Sequence, residues 1–264
     1  MNLSKRSFLA ALGLAAISLA YSPLHAQTAL DGINKSKTVK IGIPTDYPPY
    51  GFVGLDLKPQ GLDIDMANLI ASKLGAKVEL IPVVSANRIP YLQTKKVDLV
   101  VSTLGKNEER MKIIDFTHAY APFYQGIFAK KDVSIKSFAD LAGKSVAVTR
   151  GAMEDEMLAK VAPKETIVKR FEDQAATTAA FASGQTEVIA TSVSNIGTLT
   201  QKQPQLGAEY KLLLRDSPCF VGVAKGEDAL RDKVNEIIVA AKADGSLNKL
   251  AQKWLKRDAG ELPL

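Results

Sequence analysis

One order of strands and helices occurs twice along this chain. Short runs rich in β-branched residues alternate with amphipathic segments, which is typical of a mostly parallel sheet covered by helices. The first copy comprises 38–43, 63–76, 77–83, 85–96 and 97–103. The second copy comprises 144–151, 152–161, 165–171, 173–185 and 186–192. We therefore predict an α/β protein with two similar lobes, each a mostly parallel sheet with flanking helices.

The two copies also end alike. Residues 95–103 align with 184–192, so that hydrophobic residues oppose hydrophobic residues and Ser or Thr ends both strands. Strand-like segments at 124–134 and 217–227 follow the two copies and predict two hinge strands between the lobes. Since open α/β sheets bind ligands beyond the carboxyl ends of their strands, we expect a site in the crevice between the lobes.

These patterns predict three parts. Residues 1–26 have a positive start at Lys5 and Arg6, an apolar stretch too short to span a bilayer, and a small-residue cleavage site at Leu24-His25-Ala26. This is typical of a secretory signal peptide; the stretch "SKRSFL" also resembles a twin-arginine signal, so the export route stays open. We predict an exported periplasmic protein with lobe one at 27–128 plus 220–264 and lobe two at 129–219.

The residue inventory excludes several kinds of chemistry. His118 is the one histidine left once the signal is removed, and Cys219 is the one cysteine, so neither a His/Cys metal cluster nor an internal disulfide can form. Cys219 has apolar neighbours and is expected to be a buried small residue. The chain has no Walker loop and no GxGxxG motif, and its charges alternate without long blocks. We predict no metal, no cofactor and no nucleic-acid partner.

Six stretches carry a resemblance to a known family. They are "IPTDYPPYGF", "GLDIDMANLIASKLG", "RIPYLQTKKVDLVVSTLGKNEER", "IDFTHAYAPF", "LAGKSVAVTRGA" and "DGSLNKLAQKW". In this order they resemble the periplasmic solute-binding proteins of amino-acid ABC importers, the group with the glutamine, histidine and lysine/arginine/ornithine binders. The resemblance implies the type II periplasmic binding protein fold, closure on an amino acid or related small carboxylate, and delivery to a permease in the inner membrane. We expect a monomer.

The resemblance also assigns roles to single residues. Arg110 matches the arginine that forks onto the ligand's α-carboxylate, a task suited to a planar bidentate donor. Ser102 and Thr103 match strand-end positions that contact the ligand. Tyr47 matches an aromatic residue that packs on the ligand or lines the cleft, with a rim or core tyrosine as the alternative. Asn87 is expected to serve as a helix cap or as a cleft donor.

Four positions depart from the family pattern. Gly105 and Ala152 stand where hydroxyl residues are common, and so does Met153, which makes the wall more apolar. Ser192 stands where the family usually has the Asp that holds the ligand's ammonium group, and a hydroxyl supplies no compensating charge. Either a neighbouring acid substitutes, or the ligand lacks an ordinary α-amino group, which is the sharper hypothesis. A second cation, Arg150, points either into the cleft or into solvent.

An enzyme is the alternative from another class. The resemblance extends to periplasmic cyclohexadienyl dehydratase, in which a carboxylate on the same scaffold acts as general acid, and Glu154 lies near the corresponding loop. Glu154 can equally be a first-turn helix residue favoured by the helix dipole. A sensor module is a third reading, although no signalling domain is attached to this sequence. We predict a binding protein without catalytic residues.

Overall fold

The computed structural model describes residues 28–263, which contain two five-stranded sheets and a small three-stranded sheet. The helices are α1 Ala29–Ser36, α2 Leu62–Lys73, α3 Arg88–Gln93, α4 Glu108–Met111, α5 Met153–Val161, α6 Gln174–Ala182, α7 Val193–Lys202, α8 Asp228–Ala243 and α9 Ser246–Leu255. The predicted signal peptide, 1–26, lies outside the described residues.

The thirteen strands of the described residues are given in chain order. The first half contains β1 Thr38–Ile43, β2 Asp46–Tyr47, β3 Gly51–Val53, β4 Pro59–Gln60, β5 Lys77–Pro82, β6 Leu99–Leu104 and β7 Ile114–Ala121. The second half contains β8 Tyr124–Lys130, β9 Ser145–Thr149, β10 Ile167–Phe171, β11 Val188–Ser192, β12 Ala208–Asp216 and β13 Cys219–Ala224. Short 3-10 turns occur at Ser85–Asn87, Phe138–Leu141 and Pro204–Leu206. Every strand and helix of the repeated pattern is present near its predicted position.

The first sheet has the order β5-β1-β6-β13-β7, and β1 pairs in parallel with both β5 and β6. Helix α2 packs on this sheet through Met66 and Ile70, which are fully buried. Helix α9 adds Leu247 to the same core, and its Trp254 donates a hydrogen bond from Nε1 to Asp65 Oδ2 at 2.7 Å. Fully buried Cys219 lies in this core as a free thiol, so the prediction of a buried small residue is confirmed.

The second sheet has the order β10-β9-β11-β8-β12, the same plan as the first. In each sheet one strand opposes its neighbours: β13 is antiparallel to β6 and β7, and β8 is antiparallel to β11 and β12. Each of these strands has just crossed over from the other sheet. A chain that leaves one sheet at its carboxyl edge enters the other sheet from the facing edge, so it must run backwards there.

The pairing of the crossover strands locates the hinge. All partners of β8 are in the second sheet, so we propose that the first crossing lies before Tyr124 rather than between 128 and 129. All partners of β13 are in the first sheet, and we propose the return crossing before Cys219. The lobes of this proposal are 28–123 with 219–263, and 124–218. Within the described residues, no helix is long and apolar enough to cross a membrane.

Candidate functional site

The carboxyl edges of the two sheets face each other, and the lobes are in direct contact there. The Tyr47 hydroxyl, from lobe one, lies 3.1 Å from Thr191 Oγ1 and accepts a hydrogen bond from Ser192 N at 3.0 Å. Asp46 Oδ2 accepts a hydrogen bond from Gln174 N at 2.7 Å. Because each of these contacts joins a residue of lobe one to a residue of lobe two, they define a closed arrangement of the two lobes.

Arg110 lies at the centre of this contact. It belongs to α4, directly after β6, and is only 4% exposed. Its Nε and Nη2 donate to Glu156 Oε1 of lobe two at 3.0 and 2.7 Å, and Nη1 donates to Gly105 O at 3.1 Å. Asn107 donates to the other oxygen of Glu156 at 2.6 Å. In the structure Arg110 holds a carboxylate of the protein's own second lobe, and its contact with a ligand carboxylate stays a prediction.

A second buried guanidinium, Arg88, was not among the residues that the sequence analysis assigned to the site. It is 3% exposed and donates to backbone carbonyls, including Ser102 O at 2.7 Å and Gly151 O of lobe two at 3.4 Å. Burial and the neighbouring Arg110 lower the pKa of Arg88 to about 10. Among residues 28–263 no carboxylate forms an ion pair with it. The sequence signal that could have identified Arg88 is its position as a charged residue beside the apolar residues of the short helix α3.

The two arginines line one cavity of about 170 Å³, together with Glu156, Gly151 and Ile89. A smaller space of about 10 Å³ lies beside it and is lined by Tyr47, Ser102 and Thr103. The structure therefore brings four of the predicted residues to two neighbouring spaces between the lobes. The guanidinium groups give the larger space a positive wall.

The end of strand β6 is held in a strained conformation. Thr103 has φ +43°, in the left-handed region that non-glycine residues rarely adopt. Its N–H donates to Asp63 Oδ2 at 2.9 Å, and Tyr120 donates to the other oxygen at 2.7 Å. Burial raises the pKa of Asp63 to about 7. A buried carboxyl group thus fixes the backbone where Ser102 and Thr103 enter the cleft.

Gly105 and Met153, which both depart from the family pattern, pack against each other across the cleft. Met153 is buried at the start of α5, and a Cβ added to Gly105 would lie 2.8 Å from its Cε. Real Cβ atoms do not approach other atoms that closely, so the glycine of lobe one leaves the space that the methionine of lobe two fills. The two positions form one packing unit across the cleft.

The remaining predicted residues have local roles. Ser192 caps α7, since its Oγ accepts a hydrogen bond from Asn195 N at 3.1 Å. Asn87 Oδ1 accepts from Val84 N at 3.0 Å and so caps the 3-10 turn. Ala152 is buried before the first residue of α5. Arg150 pairs with Glu172 at 2.9 Å in an exposed ion pair, so it does not turn into the cleft.

Glu154 is not a solvated residue of the first helical turn. It is 3% exposed, and burial raises its pKa while Arg88 and Arg110 partly offset this effect. Its Oε1 has no hydrogen-bond partner in the described part of the chain, and neither has Oε1 of nearby Gln125. A hydrogen bond from the Gln125 side chain partly offsets the raised pKa of Glu154, so these two side chains are in contact, and Glu154 lies close enough to Arg88 and Arg110 to interact with their charges.

Two α/β lobes that meet over buried arginines define a class of protein that closes on a small solute. Residues 39–257 match the bacterial extracellular solute-binding proteins, family 3, and the chain belongs to this family. It is 29% identical to the ABC transporter glutamine-binding protein GlnH of Bacillus subtilis, over 88% of this chain and 86% of GlnH.

Two solved structures extend the comparison. An ancestral arginine-binding protein bound to arginine is 33% identical, with a TM-score of 0.79 over 83% of this chain and 98% of that chain. AncCDT-1, an ancestral amino acid-binding protein and a precursor of cyclohexadienyl dehydratase, is 31% identical, with a TM-score of 0.77 over 86% of this chain and 99% of that one. The predicted family and the type II fold are confirmed.

Proposed function

We propose that this protein is the periplasmic solute-binding component of an ABC importer and that it binds an amino acid or related small carboxylate between its lobes. Relatives named for glutamine and arginine binding support this proposal. The observation that carries it is the buried Arg110, which holds a carboxylate across the cleft. The protein acts as a monomer and presents its closed form to the permease.

Ligand binding and lobe closure are coupled through the same arginine. With the lobes parted, Arg110 loses Glu156 and Gly151 O, both from lobe two, and keeps its bond to Gly105 O. A ligand carboxylate then takes the free edge of the guanidinium, while other ligand groups contact lobe two. Contacts to both lobes stabilise the closed form relative to the open one, which is what a population shift requires.

The charges around the cavity favour a ligand with more than one negative group. Burial and the nearby Arg110 lower the pKa of Arg88 and also that of Arg215, so three guanidinium groups lie near one another. Facing them is Glu156, while burial favours the neutral form of Glu154. Buried charges need partners, so an acidic amino acid or a dicarboxylate suits this cavity better than a cationic ligand.

Isothermal titration calorimetry of the mature protein tests the proposal. The titrants are the L-amino acids, succinate and glutarate. We expect at least one compound to bind, with acidic compounds strongest, and Arg110→Ala to abolish the binding. Arg150→Ala is the matched control, because that arginine lies in an exposed ion pair, and it retains wild-type affinity. If none of these carboxylates binds, the proposal is wrong.

A periplasmic dehydratase is the second candidate function. It is supported by the likeness to AncCDT-1 and by Glu154, whose raised pKa suits a general acid. We propose that the protein is not an enzyme, since its relatives are named as binding proteins. Incubation of the purified protein with prephenate and with arogenate, followed by chromatography of the products, separates the two. Turnover that Glu154→Gln abolishes would establish the dehydratase.

A further inference from the structure

Four buried side-chain oxygens lack a hydrogen-bond partner within residues 28–263, and two of them lie at the cleft. These are Oε1 of Glu154 and Oε1 of Gln125, on residues that are 3% and 2% exposed. An unfilled buried acceptor is costly, so native structures rarely leave one without a function. Two of them close together point to a ligand that donates hydrogen bonds.

The position of this pair in the second sheet is informative. Strand β8 pairs with β11 so that Gln125 lies directly opposite Ser192. The Ser192 hydroxyl is already used to cap α7. Glu154 adjoins the Gln125 side chain and interacts electrostatically with Arg88, Arg110 and Tyr47, so it faces lobe one from the start of α5.

We propose that Glu154 and Gln125 form the subsite for the ligand's ammonium group, next to the position where Ser192 stands. This inference rests on the proposed function and makes its ligand an amino acid. An ammonium group carries three N–H donors, which can fill both free oxygens, and its positive charge stabilises the ionised form of Glu154, which burial alone disfavours. The first of the two alternatives for Ser192, a neighbouring acid that substitutes, then holds.

The lobes must part before a ligand reaches this subsite. Glu154 and Gln125 are 3% and 2% exposed, and neither lines the two cavities described above. A ligand therefore enters the open cleft, places its carboxylate on Arg110 and its ammonium on Glu154, and is enclosed as Tyr47 returns to β11. This order uses one anchor from each lobe, which is the arrangement that drives closure.

Calorimetry with matched ligands tests the subsite. Each L-amino acid that binds the wild type is titrated beside its L-2-hydroxy acid, for example L-glutamate beside L-2-hydroxyglutarate and L-aspartate beside L-malate. We expect Glu154→Gln to weaken the amino acid at least tenfold and the hydroxy acid less than twofold. Glu172→Gln, an exposed carboxylate of the same lobe, changes neither. An equal effect on both ligands, or none, overturns the inference.

Three further results also bear on the inference. If Glu154→Gln does not fold, as judged by circular dichroism, Gln125→Leu is measured by the same rule, with a fivefold selective loss expected. If hydroxy acids or dicarboxylates bind and no amino acid does, the subsite is wrong and the proposed transport function stands. If no carboxylate binds at all, the proposed function itself fails.

Discussion

Arg110 Nη2 lies 2.7 Å from Glu156 Oε1, and this ion pair joins the two lobes of the protein. The arginine side chain is 5% exposed and the glutamate side chain 35%. Glu156 thus binds the edge of the guanidinium to which, by the family resemblance, a ligand carboxylate is expected to bind. The pair makes Glu156 an internal competitor of any carboxylate that binds to Arg110.

The first prediction concerns this competition. Glu156→Gln removes the charge but keeps the shape of the side chain, so Arg110 is released more easily. A partly exposed ion pair is worth about 1 kcal/mol, and we expect about threefold to tenfold tighter binding of the carboxylate ligand by calorimetry. Glu172→Gln serves as the neutral control. Weaker binding in Glu156→Gln would instead show that Glu156 contacts the ligand.

The second prediction concerns the geometry of the anchor. Arg110→Lys keeps the positive charge but loses the planar fork that bonds to Gly105 O and to a carboxylate together. We expect a loss of about 2 kcal/mol, which is roughly 30-fold in affinity. Arg150→Lys, measured in the same way, should bind as the wild type does. Unchanged affinity in Arg110→Lys would mean that charge alone recruits the ligand.

The third prediction concerns the packing unit across the cleft. Gly105→Ser brings a Cβ to 2.8 Å from Met153 Cε, the far end of a flexible side chain, so the methionine must turn aside before the lobes close. Because a thioether moves readily, the cost is at the low end for overpacking, about 1 kcal/mol, and ligand affinity should fall about fivefold. Gly197→Ser is the control, because a Cβ there meets no atom of the described residues within 4 Å.

A double mutant shows whether Met153 is the cause. Adding Met153→Thr to Gly105→Ser shortens the opposing side chain and should recover most of the lost affinity. Titrations of both single variants and of the double variant complete a mutant cycle. Strictly additive losses would contradict the packing explanation.

The fourth prediction concerns pH. Burial raises the pKa of Asp63 to about 7 from 3.8, so between these values the native state binds a proton that the unfolded state lacks. Stability from this group is therefore full below about pH 4 and is lost as pH rises towards 7. Between pH 5 and pH 8 the loss is about 2.5 kcal/mol, at about 1.36 kcal/mol per pKa unit.

Denaturant unfolding of wild type and Asp63→Asn at pH 5 and pH 8 measures this loss. The wild type should lose more stability than the variant over this interval, because the amide that replaces the carboxyl group does not titrate. The variant keeps an oxygen for one of the two donors, Thr103 N and the Tyr120 hydroxyl. An equal loss in both proteins would show that Asp63 is not the group responsible.

The local patterns of the chain were sufficient for the repeated part of the fold. Strands such as β1 and β11 and helices such as α2 have their period and their end signals within a few residues, and the structure has them near the predicted positions. Strand β7 and helix α8 lie beyond the repeat and were not predicted from the sequence. The tertiary structure shows that β7 is an edge strand of the first sheet and that α8 packs on β7.

The site was only partly predictable for a different reason. The motif around Arg110 and the Ser-Thr end of β6 are local, so they could be compared with a family pattern. The pairing of Arg110 with Glu156, the fit of Met153 over Gly105, and the unfilled oxygens of Glu154 and Gln125 join residues from separate parts of the chain. No spacing in the sequence encodes such contacts.

The sequence by itself thus determined the two-lobed α/β plan and the family, since each depends on short-range periodicity or on contiguous motifs, and it predicted Arg110 as the anchor for a ligand carboxylate. Only the tertiary structure decided which charges are buried together. Burial changes the cost of a charge, and so it turned Arg88 and Glu154 from ordinary helix residues into candidates for ligand contact. The tertiary structure also places Arg150 in an exposed ion pair and makes the Ser192 hydroxyl the cap of helix α7.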